Sequence, residues 1–393
     1  MTPAARVQAA IELLDAIIIA TRDKGASADR VAAAFFAARR YAGSKDRRAI
    51  RDLAWRAIRA FGERPENGRS AMVALADVDV ELAALFDGLA YGPAAIAAGE
   101  LRAQGGVLPE WVKPLFSELV VEGEFPALLE RAPLDVRANR LVATHEEVAN
   151  ELPEAIKLSE SRDGLRLPTG YAVEASPCYQ SGAIEVQDLG SQLIAEVCKA
   201  DAGMTVLDLC AGAGGKTLAL ASHMAGQGRL IAADTNRDRL QQLPPRAMRA
   251  KAEFIETCLL NPGKEIAALA DLSDACDVVL IDAPCSGSGT WRRNPETRWR
   301  LDQRDLQRLV SEQARLLDLA SGLVKPGGHL VYAVCSLFAC EGRNQIDAFL
   351  ARHPDFGADR ADIAAGRADG AGILLTPAHD GSDGFYLARL HKL

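Results

Sequence analysis

The sequence predicts an α/β protein built on a doubly wound parallel sheet, with a small α+β region and an N-terminal all-α domain before it. From Gln187 onward, short apolar runs alternate with helix-length intervals, which is typical of parallel sheets. Before that, short strand-like pieces are separated by Gly and Pro. The first third of the chain has apolar residues at helical spacing instead. These observations predict three domains, at 1–125, 126–186 and 187–393.

The N-terminal domain is predicted to be helical and basic. Between Ala5 and Phe61 apolar residues recur at helical spacing, and ELAALFDGLAYG (81–92) and LPEWVKPLFSELV (108–120) extend the pattern between Gly and Pro breakers. Residues 1–64 contain 13 Lys or Arg against 7 Asp or Glu, an excess of six positive charges. This charge indicates either a surface that binds phosphates or an ordinary solvated helix face.

The remaining elements follow in order along the chain. RAPLDVRANRLVATHEEVANEL predicts a strand and then a helix with Thr144 as its N-cap. The segment QDLGSQLIAEVCKA predicts a helix that leads into the main sheet. The tail GFYLARLHKL predicts a last, antiparallel strand. The strands predicted between them are TVLDL, RLIAAD, AEFIE, DVVLID and HLVYAVC.

Composition excludes several classes of protein. With 49% hydrophobic and 25% charged residues in 393, the chain is expected to be globular. No apolar run approaches the roughly 20 residues that cross a bilayer, and the N-terminus lacks a secretory pattern, so we expect no membrane partner and a cytoplasmic location. The eight cysteines show no CxxC spacing and the six histidines are dispersed, which predicts reduced thiols and no metal.

A glycine-rich turn is the first candidate binding site. In LDLCAGAGGKT, small residues stand where a buried strand turns into a helix, and glycines let a ligand approach the free N–H groups of the helix start. The run matches neither GxGxxG nor a Walker loop. Asp234, at the end of the next strand, is a candidate for binding ribose hydroxyls. The alternatives are a purely structural corner for the turn and a helix N-cap for Asp234.

Two cysteines end two later strands, Cys285 in DAPCSGSG and Cys335 in YAVCSL. Ligands bind open parallel sheets at the carboxyl ends of the strands, so we expect both thiols and Asp282 at that edge. The following segment WRRNPETRWR interleaves Trp with Arg, a mixture suited to base stacking and phosphate contact. The alternatives are a buried strand cysteine for Cys335 and an exposed basic helix start for the Trp/Arg segment.

Taken together, LDLCAGAGGKT, DAPCSGSGTWRRNP and YAVCSL resemble the RsmB/Sun-type (NOP2/Sun) family of RNA 5-methylcytosine methyltransferases. The resemblance covers the chain strongly from about residue 125 to the end. The helical N-terminal part is more weakly similar to the NusB-like RNA-binding domain of the bacterial 16S rRNA member. The resemblance implies a Rossmann-like sheet, an RNA-recognition-like α+β insert, and S-adenosylmethionine held by Cys210, Ala211, Gly212, Ala213, Gly214, Gly215, Lys216, Asp234 and Asp282.

The chemistry implied is covalent methylation of cytosine C5. A thiolate that adds to C6 turns C5 into an enamine-like carbon able to accept a methyl group. The residues alone leave open which thiol attacks. The resemblance implies that Cys335 is the nucleophile and that Cys285 assists release of the methylated base. Asp282 has a side chain suited to hydrogen-bond the edge of the base.

RNA is therefore the expected partner, with 16S rRNA as the expected substrate. The alternatives are a transfer RNA 5-methylcytosine methyltransferase and a non-catalytic RNA-binding ribosome-assembly factor. Besides basic residues in 39–64, Arg140 and Arg300, the guanidinium groups expected to contact RNA are those of Arg137, Arg292, Arg293 and Arg298.

Two positions depart from the family pattern. Ala213 stands where the family usually has Pro. Cys258 stands where the family often has an acid near the adenine, and Glu256 is the candidate substitute.

Overall fold

A computed structural model describes residues 1–360 and 362–393. Its contacts group these residues into two compact units. The helical unit comprises Met1–Phe116, Val121–Glu130 and Thr290–Gln303, and the sheet unit comprises Ser117–Val120, Arg131–Gly289 and Arg304–Leu393. The domains predicted from the sequence are consecutive, whereas these units interleave along the chain, since the Trp/Arg segment after Gly289 belongs with the helices.

The helical unit has five α-helices among the described residues. Side-chain caps begin three of the longer ones, with Thr2, Ser27 and Asn67 each accepting a bond from a backbone N–H of the first turn. Their apolar faces form one core, into which Trp299 also packs. The helices are α1 (Pro3–Arg22), α2 (Ala28–Ala38), α3 (Ser44–Ala60), α4 (Gly68–Ala76) and α5 (Val80–Ala83), with 3₁₀ turns at Glu110–Leu115, Glu122–Leu128 and Pro295–Trp299.

The prediction of full helices over 81–92 and 108–120 is wrong. The first is helical only to Ala83, and the second is a 3₁₀ helix over Glu110–Leu115. Gly88 has a positive φ of 68° and Pro114 lacks a backbone N–H, so neither segment continues as a regular α-helix.

The α+β region forms a four-stranded antiparallel sheet in the order β2-β3-β1-β4 among the described residues. The predicted cap is confirmed: Thr144 begins a helix through a capping box with Glu147. The elements are β1 (Leu134–Ala138), α6 (His145–Glu151), β2 (Ile156–Lys157), β3 (Gly164–Leu167), α7 (Pro177–Gln180) and β4 (Ile184–Val186).

The main sheet contains nine strands among the described residues, in the order β11-β12-β13-β9-β8-β5-β6-β7, with β10 paired to β13. The strands are β5 (Thr205–Asp208), β6 (Arg229–Asp234), β7 (Glu256–Leu259), β8 (Cys276–Asp282), β9 (Val324–Val334), β10 (Phe356–Asp359), β11 (Arg367–Asp369), β12 (Gly372–Leu375) and β13 (Phe385–Lys392). The helices are α8 (Leu189–Val197), α9 (Gly215–His223), α10 (Arg237–Leu240), α11 (Leu243–Arg249), α12 (Glu265–Ala268), α13 (Gln303–Ser321), α14 (Arg343–Arg352) and α15 (Pro377–Asp380).

Strands β5 to β9 are parallel, and β13 runs antiparallel to β9, which confirms the predicted last strand. The strand predicted at AEFIE begins only at Glu256, its last residue, because the chain before it turns, with the N–H of Ile255 donating to the carbonyl of Ala252. The parallel register aligns Asp208 with Leu280 and Asp282 with Ala333. The carboxyl ends of these strands therefore lie side by side, at the edge where the sequence placed the site.

Candidate active site

The glycine-rich loop makes the turn between β5 and α9. Gly212 and Gly214 have positive φ angles of 57° and 82°, and Gly214 is the N-cap of α9. A Cβ at Gly214 would lie 2.2 Å from Cδ1 of Leu243, so the conformation and the space both require glycine there. A Cβ at Gly215 would meet nothing within 4 Å. The loop is therefore packed on one side and open at Gly215.

Asp234, at the end of β6, holds this loop. Its Oδ2 accepts from the backbone N–H of Gly212 at 2.7 Å, and its Oδ1 accepts from that of Asn236 at 2.6 Å. Asn236 itself is the N-cap of α10. The structure thus gives the capping role to Asn236 and leaves Asp234 at the edge of the sheet, against the glycine turn.

An ion pair joins the start of α9 to the end of β8. The ammonium of Lys216 lies 2.7 Å from Oδ2 of Asp282. Burial opposes the charge of Lys216, but Asp282, with a smaller effect from the Cys335 sulfur, raises the pKa of the ammonium. Asp282 is only half-buried, with 32% of its side chain exposed, so its carboxylate remains open to a ligand.

The two cysteines meet at this edge, as the sequence predicted. The sulfur atoms of Cys285 and Cys335 are 3.3 Å apart, and both residues are half-buried. The hydrogen bond to Cys335, then burial, then the charges of Cys335 and Glu341 raise the pKa of the Cys285 thiol well above its usual value. Cys285 therefore holds its proton more tightly than an ordinary cysteine, and either sulfur can be the donor of the hydrogen bond between them.

Sequence reasoning missed Glu341, a fully buried acid beside the thiol pair. Its carboxylate accepts from the N–H of Ser286 at 2.9 Å and the hydroxyl of Ser336 at 2.6 Å. Its only sequence signal is an acid six residues after Cys335 in a loop, which is too common to single out. Sequence reasoning also missed Asp208. Burial raises the pKa of this carboxyl to about 7, and the Thr217 hydroxyl donates to it at 2.6 Å.

Two of the arginines predicted to contact RNA lie in the interior instead. Arg298 is fully buried and donates to the carbonyls of Pro295, Ile58 and Phe61. Arg137 is 1% exposed and donates to Gln187 at 2.8 Å. Both guanidinium groups donate to buried acceptors of the protein itself, so the prediction that they contact phosphate is wrong in this structure.

The rest of the Trp/Arg segment is divided between the interior and the surface. Arg292 is 5% exposed, and Trp291 and Trp299 are buried, so these tryptophans offer no face for base stacking. Arg293 is exposed. Burial therefore takes most of the segment away from solvent and leaves the exposed Arg293 and the half-buried Arg300 as its accessible predicted contacts.

The structure separates the two candidates for the adenine side. Glu256 begins β7, pairs with Ile231 in register, and forms an ion pair with Arg229 at 3.0 Å. Cys258 lies two residues nearer the carboxyl edge, beside Ala233, and burial raises the pKa of its thiol. Glu256 is thus at the far end of its strand, which makes it a poor substitute for an acid at the cofactor edge.

Within the described residues, no group of three or more His, Cys, Asp or Glu side chains is arranged to hold a metal ion. In the same part of the chain, none of the helices combines the length and the apolar character needed to cross a membrane.

A parallel sheet with a glycine turn after β5 and acids after β6 and β8 is the Rossmann-like sheet of methyltransferases. The profile described as 16S rRNA methyltransferase RsmB/F matches residues 195–391. The chain is also 33% identical to a probable ribosomal RNA small subunit methyltransferase B of Synechocystis sp. over 302 residues, and 34% identical to the ribosomal RNA small subunit methyltransferase B of Xylella fastidiosa over 292. The chain belongs to this RsmB/F family.

The matches cover 72% of this chain in both cases, but 66% of the Synechocystis protein and 68% of the Xylella protein. Among solved structures, PH0851 superposes over 100% of both chains with a TM-score of 0.78 at 22% identity. NSun6 from Pyrococcus horikoshii, solved with the S-adenosylmethionine analogue SFG, covers 72% of this chain and 97% of its own with a TM-score of 0.64 at 17% identity. These structures share the fold.

Proposed function

We propose that this protein methylates C5 of a cytosine in 16S rRNA, with S-adenosylmethionine as methyl donor and a covalent cysteine adduct at C6. The observation that carries the proposal is the 3.3 Å separation of two thiols at the edge that holds the glycine turn and Asp282. The names of the relatives, small subunit methyltransferase B, support 16S rRNA as substrate.

The loop at the carboxyl edge fits S-adenosylmethionine. The open space at Gly215 lets a ligand approach the start of α9, where free N–H groups favour a carboxylate. Asp234 and the half-buried Asp282 offer carboxylate oxygens to ribose hydroxyls and to the amino group of the donor. When bound, the donor supplies an electrophilic methyl group.

Cys335 acts as the nucleophile in this proposal. Its thiolate forms a bond to C6, the ring electrons move to C5, and C5 then takes the methyl group. The cation of Lys216 interacts with the Cys335 sulfur, and the Cys285 sulfur lies 3.3 Å from it. To finish, C5 loses its proton to a base at this edge and the C6–S bond breaks, returning the electron pair to Cys335.

Cys285 assists that release. Its sulfur lies 3.3 Å from the leaving sulfur, so it is placed to stabilise the departing thiolate, while Asp282 is the candidate base for the C5 proton. The target cytosine must leave its stack to reach a half-buried thiol, which costs a few kcal/mol and least in a loop. Arg140, Arg293 and Arg300, together with basic residues of 39–64, are proposed to bind phosphates of the RNA.

Two cysteine variants test the mechanism. We expect Cys335→Ala to abolish methylation, and Cys285→Ala to accumulate a covalent protein–RNA adduct visible on a denaturing gel. An adduct that requires Cys285 and survives loss of Cys335 would reverse the two roles. No adduct with either variant, in protein that binds S-adenosylmethionine by calorimetry, would contradict the covalent route.

The substrate is tested in cells. Bisulfite sequencing of ribosomal and transfer RNA from a deletion strain should show one lost 5-methylcytosine in 16S rRNA. A site lost from transfer RNA would favour the transfer RNA enzyme. Tight RNA binding without affinity for S-adenosylmethionine would indicate a non-catalytic assembly factor.

A further inference from the structure

A buried carboxylate links the two loops that carry the thiols. Glu341 is fully buried and follows β9 in the chain. Its Oε1 accepts from the backbone N–H of Ser286 at 2.9 Å, and its Oε2 accepts from the hydroxyls of Ser286 and Ser336. Ser286 follows Cys285 and Ser336 follows Cys335. One side chain therefore contacts the neighbour of each thiol.

Further bonds extend this link to both sides. Gln313 of α13 donates to Oε1 of Glu341 at 3.0 Å and to the carbonyl of Pro284 at 2.9 Å. The hydroxyl of Ser288 lies 3.0 Å from that of Ser336 and accepts from the N–H of Leu337 at 2.9 Å. The two loops are thus joined by a continuous chain of hydrogen bonds whose acceptor end is Glu341.

The groups around Glu341 suit a carboxylate that accepts. Ser336 donates to Glu341, and Ser288, which accepts from Leu337, can donate to Ser336. With Ser286 and Gln313 also donating, the carboxylate accepts four hydrogen bonds. No basic side chain of residues 1–360 and 362–393 forms an ion pair with it, so its charge acts on the surroundings without a neutralising partner.

We propose that Glu341 is a positioning residue that holds the two thiols together and keeps their shared proton on Cys285, leaving Cys335 as the reactive sulfur. The expected effect of Glu341 on methylation rests on the proposed function, whereas its expected effect on the two thiols does not. The charge of Glu341 is among the causes that raise the pKa of Cys285, after the hydrogen bond to Cys335, burial and the charge of Cys335. The arrangement distinguishes two thiols that are otherwise equivalent in type.

Other groups that can titrate also face the pair. Tyr332 of β9 donates to the backbone carbonyl of Glu341 at 2.7 Å and interacts electrostatically with Cys285. From α9, Lys216 interacts with Cys335 and pairs with Asp282 of β8. Cys340 interacts electrostatically with Tyr332, and Asp208 does so with Lys216. Of these, Lys216 brings a positive charge to the Cys335 sulfur, in the same direction as the proposal.

Thiol alkylation of the whole protein tests this without RNA or methyl donor. At pH 7.5, iodoacetamide with mass mapping should modify Cys335 about 10-fold or more faster than Cys285 in the wild type, since the thiolate is the reactive form. In Glu341→Gln, which keeps the shape and removes the charge, the ratio should fall to within about 3-fold. Glu341→Asp, which keeps the charge, should restore the preference for Cys335.

Methylation kinetics supply the second measurement. Glu341→Gln should lower kcat by about 10-fold or more while the KM for S-adenosylmethionine changes less than about 2-fold, because Glu341 does not contact the glycine turn. If wild type and variant share the same alkylation ratio, the proposal is wrong. A changed ratio in a protein that methylates no RNA would sink the proposed function and leave this inference standing.

Serine variants keep the proposal testable if Glu341→Gln does not fold. Ser286→Ala and Ser336→Ala each remove one donor to the same carboxylate and retain its charge. We expect Cys285 to remain the slow thiol in both and methylation to fall by about 3- to 10-fold. Unchanged methylation in both would overturn the positioning role.

Discussion

Replacing Arg298 with alanine tests whether this guanidinium stabilises the helical unit or contacts RNA. In the structure it donates to the carbonyl of Phe61 at 2.8 Å and to those of Ile58 and Pro295. Trp299 donates beside it to Phe61 at 3.1 Å. Burial lowers the pKa of Arg298 to about 9, yet it remains the donor that joins α3 to the segment after Gly289.

The expected loss follows from these contacts. Removing the guanidinium leaves buried carbonyl groups without this donor, and at about 1–3 kcal/mol for each group we expect a total cost of about 3–5 kcal/mol. For a domain of this size each kcal/mol lowers the melting temperature by about 3 °C, so we expect a drop of about 9–15 °C. The loss should be in the free energy of unfolding and not in the salt dependence of RNA binding.

Arg293→Ala is the matched control, five residues earlier and exposed. It should change stability by no more than about 0.5 kcal/mol, weaken RNA binding, and reduce the salt slope of the affinity by about one. Thermal unfolding and filter binding at several salt concentrations measure both effects. If Arg298→Ala left the melting temperature unchanged and weakened RNA binding, the structural role would be refuted. The original prediction, that Arg298 contacts phosphate, would then be supported.

Four further substitutions have defined outcomes. Gly214→Ala places a Cβ 2.2 Å from Leu243 at a φ of 82°, so it should lower the free energy of unfolding by about 1–3 kcal/mol and weaken cofactor binding measured by calorimetry. Gly215→Ala has open space around its Cβ, so it should leave stability unchanged and lower only the cofactor affinity. Burial, then the charges of nearby arginines, lower the pKa of His223 to about 3, so the stability that it contributes above pH 6.5 is lost as pH falls from there toward 3. Between pH 7.5 and 5 the unfolding free energy of the wild type should fall by about 2 kcal/mol more than that of His223→Leu, and equal losses in urea titrations would contradict this. Asp282→Asn removes the charge that faces Lys216 and should cost about 1–2 kcal/mol and lower cofactor affinity, whereas an unchanged calorimetric affinity would contradict a role for this carboxylate in cofactor binding.

Local patterns were enough to predict the elements that position the site. Alternating apolar runs and helix-length intervals predicted β5, β6, β8, β9 and the antiparallel β13, because each contains a run of buried apolar residues whose pattern depends on near neighbours. Since parallel strands end at one edge, the same pattern also predicted that Cys285 and Cys335 meet. Turn residues likewise predicted the loop at Gly214, where the backbone requires a positive φ.

Burial of polar side chains was decided only by the tertiary structure. Arginines such as Arg298 and Arg137 are typical of RNA-binding surfaces. In the structure their guanidinium groups lie in the interior, where Arg298 donates to carbonyls distant in the chain and Arg137 donates to a side-chain amide. The role of Glu341 could not be predicted from its neighbours in the sequence, because that role depends on a hydrogen bond with Ser286, 55 residues away in the chain. The sequence by itself determined which groups stand at the ends of strands, since that follows from local periodicity. Which charges face the thiols and which face the core depended on contacts between distant segments, and only the folded chain brings those together.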